Sequence, residues 1–314
     1  MTVAEDRAYE LMESAHRLIA EGSWAQGAAA LEEAASIHKQ AGRSYDEARC
    51  LQLAATLRRS SGDAARASML AERAAAVHSD DAPLAVSIET ERAQSAFDQG
   101  KYRESIAAWD RAIAGAASAK MLAQPLSALF RKRAAAQAAA GAIEKGLSDF
   151  DEASRLLESS GDAAGAAFVR VEQATMLAQN GEIERAQQIL DSIDAADNAH
   201  LRAEMFVLRS KLARAGGRWE RSIEFANTAR NAALEAVAPV SYFAAASELA
   251  QSFDALGDLK NSYGALAAAW ATLGDLLGEG VARSWVEPLL LAFKVKWGDE
   301  AFARAKKAYE DRNA

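Results

Sequence analysis

Eight glycines recur along this chain at nearly even spacing: Gly22, Gly62, Gly100, Gly141, Gly181, Gly217, Gly257 and Gly298, at intervals of 40, 38, 41, 40, 36, 40 and 41 residues. A period of this size signals stacked repeats, each burying its apolar face only against its neighbours. The flanking columns repeat too. Seven residues before the glycines stand Ala15, Ala55, Ala93, Ala134, Ala174, Ser210, Ala250 and Leu291, all small but the last. Two after them come Trp24, Ala64, Tyr102, Ile143, Ile183, Trp219, Leu259 and Glu300, a mostly bulky column. Five after them are Gly27, Ala67, Ser105, Gly146, Ala186, Ser222, Ser262 and Ala303, without one large side chain. Alanine recurs twelve after them, except at Ile193 and Glu310.

Helix, tight turn and second helix satisfy this pattern. Glycine accepts the left-handed conformation that ends a helix, and a polar residue after it caps the next. Asp63, Asp258 and Asp299 stand at that capping position. Small columns let helix backbones approach while the bulky column fills the gaps. Pro83, Pro125 and Pro239 fall where first helices start, where the missing N–H costs nothing. Pro288 fits either a first turn after Ser284, with Glu287 completing a capping box, or a kink in a longer helix. No window alternates as a strand would. The fold class expected is all-α, a right-handed α-solenoid of about eight antiparallel helix pairs.

Composition closes off other classes. With 50% hydrophobic and 25% charged residues among 314, the chain has the apolar mass for a core and too few uninterrupted apolar residues to span a bilayer. A formal net charge of -8 argues against nonspecific nucleic-acid binding, which needs cations to displace counterions. The lone Cys50 excludes an internal disulfide and a thiolate-rich zinc site. The start shows no basic region followed by an apolar one, so no secretory signal is expected. These features predict a cytoplasmic protein with no membrane or nucleic-acid partner.

The stretch Gln99-Gly-Lys-Tyr-Arg-Glu-Ser-Ile-Ala-Ala-Trp-Asp-Arg-Ala112 resembles the tetratricopeptide repeat family, matching its glycine, aromatic, small, bulky and alanine series position by position. Gly22-Ser-Trp24 and Gly217-Arg-Trp219 follow it closely. The resemblance covers about residues 15 to 310. The period here is near 40 rather than the family's usual length of about 34 residues, which implies longer helices. Seven repeats are expected over 1–280. A degenerate eighth over 281–314, with Leu291, Glu300 and Glu310 at marker positions, is expected to act as a C-terminal cap. Its stripe of Ala301, Phe302, Ala305, Ala308 and Tyr309 would seal the seventh pair, with Lys306, Lys307, Asp311 and Arg312 facing away.

Chemical motifs are sparse. There is no P-loop, GxGxxG, HExxH or paired-cysteine motif, and Gly161-Asp-Ala-Ala-Gly165 reads as a turn between repeats. His16, His38, His78 and His200 fall in different repeats, which disfavours a shared metal site. Cys50, with no histidine at helical spacing, reads as a core residue. The acidic clusters Glu32-Glu33, Asp149-Asp151-Glu152 and Asp191-Asp194 read as solvated faces. Trp24, Trp109 and Trp219 are expected to pack. Trp270, Trp285 and Trp297 either close the core or form an exposed patch, and packing is favoured. No enzyme, cofactor or metal is therefore expected.

The family resemblance implies a ligand-facing groove lined by first helices. Projected onto this sequence, its positions select Arg49, Gln52, Thr56, Arg59, Gln94, Phe97, Asp98, Arg131, Lys211, Arg214 and Gln251 among others. The cations outnumber the anions, which points to a protein or peptide segment of acidic character as partner, although helix-surface arginines without a ligand would read the same. The chaperone-tail carboxylate clamp is disfavoured, because Ala135 stands where that clamp has asparagine. The function implied is a noncatalytic interaction module serving as adaptor, scaffold or assembly chaperone. The alternative is a peptide- or small-ligand-responsive sensor that sequesters a partner protein.

Overall fold

The computed structural model describes residues 3–77, 81–195 and 197–313, with side chains over 6–77, 81–195 and 197–311. His78 and the Arg312 side chain lie outside that range. The described residues form sixteen α-helices and no strand. First helices are α1 (Val3–Ala20), α3 (Ser44–Ser60), α5 (Ala82–Asp98), α7 (Ala123–Ala139), α9 (Ala163–Gln179), α11 (Ala199–Ala215), α13 (Pro239–Ala255) and α15 (Glu279–Trp297). Second helices are α2 (Trp24–Gln40), α4 (Ala64–Ala76), α6 (Tyr102–Ser118), α8 (Ile143–Ser159), α10 (Ile183–Asp191), α12 (Trp219–Glu235), α14 (Leu259–Leu277) and α16 (Asp299–Asn313). The chain divides into two compact units, Met1–Ala166 and Ala167–Ala314. In the first, α1 to α8 pack in sequence order and α3 also touches α5. In the second, α11 to α15 pack in order, α11 touches α13, and α14 touches α16.

The turns follow the glycines. All eight have positive φ, from 70° at Gly217 to 88° at Gly62. At the first turn, the Gly22 amide donates to the Ile19 carbonyl at 3.0 Å and the Ser23 amide to Leu18 at 2.7 Å, closing the helix end. The same closure recurs where a second helix meets the next first helix, at Gly42 and Gly161. At two such sites no glycine is present. Lys120 and Val237 adopt φ of 52° and 49° there, with Met121 donating to Ala116 and Ala238 to Ala233.

The two small columns meet each other. Ser105, Ser222 and Ser262, five after their glycines, donate to the carbonyls of Ala93, Ser210 and Ala250, seven before them, at 2.8, 3.0 and 2.8 Å. A Cβ on Gly27 would stand 3.4 Å from the Ala15 carbonyl oxygen, at the same contact in the first pair. Backbones this close leave no room for a larger residue in either column. The serine hydroxyl also satisfies the carbonyl that the close approach shields from water.

The 36-residue interval has a local cause. Helix α10 has only nine residues, against 17 in α8 and α12. The chain leaves it early and buries Ile193 and Ala195 in an irregular segment before Asn198, whose side chain caps α11 by accepting from the Leu201 amide at 2.9 Å. Elsewhere Asp63, Asp81 and Asp258 cap α4, α5 and α14. Asp299 does not cap: it is the first residue of α16 and pairs with Lys294 at 3.2 Å. Pro83 and Pro239 sit at helix starts and Pro125 in a first turn. Pro288 lies in the interior of α15, so the longer-helix reading is the one realised.

The last pair departs from the others. One residue, Gly278 (φ 89°, ψ 151°), joins α14 to α15, and one residue, Gly298 (φ 81°, ψ 159°), joins α15 to α16. That backbone region is essentially closed to residues with a Cβ. The turn rotates α15, so that Ala282, Val286 and Phe293 are buried while the marker Leu291 is 54% exposed and Val295 86%. Phe302 and Tyr309 of α16 meet the Tyr263 ring of α14, with centroids at 5.5 and 5.8 Å, and Ala305 is buried. Ala308 departs from the expected stripe and is exposed.

Candidate functional site

Groove positions of α3 and α5 meet in a network of hydrogen bonds and ion pairs. Its centre is Glu91, which points from α5 toward α3 with only 4% of its surface exposed. Arg59 donates through Nε to Glu91 Oε1 at 2.7 Å, and Thr56 donates through Oγ1 to Oε2 at 2.9 Å. Gln52 donates to Thr56 at 3.2 Å, and Gln94 to Asp98 at 3.0 Å. Asp98 also stands 3.9 Å from Arg59. Five projected groove residues, Gln52, Thr56, Arg59, Gln94 and Asp98, thus share one carboxylate-centred face. The burial of Glu91 is compensated by charge-assisted bonds, which a lone buried carboxylate would lack.

A matching contact lies in the second unit. Arg214 of α11 donates through Nε to Glu248 Oε2 of α13 at 2.7 Å, and Glu248 is 3% exposed. Both arginines stand three residues before their glycine and both glutamates nine before the next, so one device links consecutive first helices twice. Gln251 is half-buried on α13, Lys211 is exposed on α11, Arg49 is exposed on α3 and Arg131 is half-buried on α7. The projection therefore found real neighbours, but Glu91 and Glu248 fell outside its positions. They change the electrostatics, since the cations Arg59 and Arg214 are already neutralised.

The acidic clusters read as solvated faces divide. Glu33, Asp151, Asp191 and Asp194 are exposed, but Glu32 and Asp149 are not. Arg133 holds Asp149 with two bonds, at 2.8 and 2.6 Å, and Asp110 with a third at 2.6 Å. Glu32 accepts from Arg58 Nε at 3.0 Å and from Arg66. Burial pushes the Glu32 carboxyl up, and the bonds from Arg66 and Arg58 more than offset it, leaving it below its ordinary 4.5. These carboxylates tie one helix to the next.

Reactive chemistry finds little support in the geometry. Cys50 is fully buried, and burial first, then Asp46, pushes its thiol up to about 11, so it is a protonated core residue. His16 is exposed, His38 is buried with Nε2 unbonded, and His200 lies against Phe168. No group of three His, Cys, Asp or Glu among the described residues could hold a metal ion. Among the described residues, no helix is long and apolar enough to cross a membrane. Trp109 is buried, whereas Trp24, also expected to pack, is 42% exposed. Trp270, Trp285 and Trp297 pack against the core of the second unit, and Trp297 donates to Asp254 at 2.7 Å.

No family model matches this sequence, and no curated protein is significantly similar to it. Solved structures do match. A tetratricopeptide repeat protein from Parabacteroides merdae superposes with a TM-score of 0.57 at 12% identity, over 90% of this chain and 98% of that one. A Signal Transduction ATPase with Numerous Domains, with a tetratricopeptide repeat sensor, from Pyrococcus horikoshii gives 0.63 at 15% identity, over 90% of this chain and 44% of that one. The apo quorum sensor NprR from B. thuringiensis gives 0.54 at 11%, over 92% and 81%. At these identities the likeness is one of fold, and the fold is a tetratricopeptide-repeat-like all-α solenoid.

Proposed function

We propose that this chain is a noncatalytic interaction module that holds a protein or peptide segment against its first helices, as an adaptor, scaffold or assembly chaperone. The supporting observation is the network on α3 and α5, in which Gln52, Thr56 and Arg59 are linked by hydrogen bonds through Glu91, and the bonded pair Gln94 and Asp98 stands beside Arg59, before any partner arrives. Side chains already ordered lose little further freedom on binding, so a flexible partner bears most of the entropic cost. Arg49 in the first unit and Lys211 in the second are each exposed to meet an acidic group on a partner. A single, unpaired cysteine suits a reducing compartment such as the cytoplasm.

The test is affinity enrichment from the native host with three proteins: the wild type, Arg49→Glu with Lys211→Glu, and a control carrying Lys145→Glu and Lys307→Glu on second helices. Partners captured by the wild type should be lost by the first variant and kept by the second. Identical capture by all three would overturn the groove assignment. A sensor is the second reading, favoured by the sensor roles of two of the structural neighbours. It requires that some peptide or metabolite raise the thermal midpoint, as a ligand bound only to the folded state does.

A further inference from the structure

A cleft in the second unit brings two half-buried cations together over an apolar floor. It has a volume of about 520 Å³, within the range of small-molecule sites, and is lined from α12, α13, α14 and α16. Arg230 and Lys260 line it with the carboxamides of Asn227 and Asn261, over a floor that includes Leu249 and Phe253. Both cations are half-buried. Five half-buried arginines elsewhere in this chain are held by carboxylates: Arg58 by Glu32, Arg59 by Glu91, Arg92 by Glu72 and Glu89, Arg133 by Asp149, and Arg214 by Glu248. Arg230 and Lys260 make no such ion pair among the described residues. The acid next to Lys260 in sequence, Asp258, is committed: its two oxygens accept from the Asn261 amide at 3.1 Å and from the Asn261 side chain at 2.6 Å.

The outer wall is equally specific. Tyr309 of α16 lies on Gly264 of α14, where an added Cβ would come within 2.7 and 2.9 Å of its ring carbons. A glycine inside a helix is less favourable than alanine, and here the missing side chain is what admits the ring. The two asparagines keep donors to spare. Asn227 Nδ2 uses one N–H on the Ile223 carbonyl at 3.0 Å, and Asn261 Nδ2 one on Asp258, which leaves each with a second.

We infer that this cleft binds a small phosphate monoester, its dianion between Arg230 and Lys260 and its organic body on the apolar floor. The two cations match the two negative charges of a monoester at neutral pH, and the amides supply donors to the remaining oxygens. Calorimetric titration of the full chain with phenyl phosphate tests this, with inorganic phosphate and phenol as separate arms. Phenyl phosphate should bind saturably and more tightly than either arm. Arg230→Gln and Lys260→Gln should each weaken it by about tenfold, the value of one charge-assisted bond, while Arg304→Gln, an exposed cation elsewhere on α16, should not. Gly264→Leu, which displaces Tyr309, should weaken it too. Should a variant fail to fold, amide shifts in the wild-type protein decide, since they must centre on Asn227, Asn261 and Tyr309. Absence of saturable binding, affinity unchanged by both Gln substitutions, inorganic phosphate binding as tightly, or shifts centred elsewhere would each overturn the inference.

Discussion

Val237 is the residue most at odds with its backbone. A β-branched side chain at φ 49° costs about 1 kcal/mol or more in the left-handed region, and Val237 is 68% exposed, so burial does not offset it. Val237→Gly should raise stability by about 0.5 to 1 kcal/mol, read as a higher denaturant midpoint at unchanged slope. Glu32 is the residue through which acid should act. Its carboxyl is depressed in the folded chain, so its contribution is complete above the ordinary 4.5 and is lost as pH falls through the lower folded value. Glu32→Gln should therefore flatten the decline of the melting temperature below about pH 4.5; an unchanged profile would refute that role. The roles of such residues were only half legible in the sequence. Positions implied by the family resemblance found Arg59 and Arg214, but a glutamate on a helix looks the same whether it faces water or a neighbouring arginine. Glu32, Glu91, Asp149 and Glu248 were therefore missed or misread as solvated.

Between elements, the pairing of small columns is the main determinant. Ser222 is fully buried, bonds to Ser210 and accepts from Ser252 at 2.8 Å. Ser222→Leu should force α11 and α12 apart and strand those hydroxyls, costing about 3 kcal/mol or more, whereas Ser222→Ala should cost about 1; chemical denaturation of both separates crowding from the lost bond. This level was the most legible, because a backbone-to-backbone approach excludes every large side chain and so writes itself into composition. The turns at Lys120 and Val237 were not legible, since neither residue announces a left-handed conformation. At the C-terminal end, α16 covers α14 through Phe302, Ala305 and Tyr309. Deleting residues 299–314 should expose Tyr263 and lower both solubility and melting temperature. A truncated chain that remained soluble and equally stable would show that α16 does not act as a cap.

For the molecule as a whole, each unit is assembled mainly from contacts between helices adjacent in sequence, with a few between alternate helices. Low sequence separation favours rapid folding, and in such arrays stability is close to a sum over neighbours. The resemblance of the repeats would suggest that any copy could stand in for any other. The arginine-to-glutamate contacts between α3 and α5 and between α11 and α13 forbid it. If the third repeat were replaced by a copy of the fourth, the position of Glu91 would be taken by the equivalent of Lys132, and Arg59 would meet a cation. A chimera with that exchange should melt well below the parent, and restoring glutamate at the one position should recover much of the loss. Recovery would mean that the chain encodes part of its order of succession, since the copies bearing Arg59 and Arg214 must each be followed by one that carries a glutamate at the facing position.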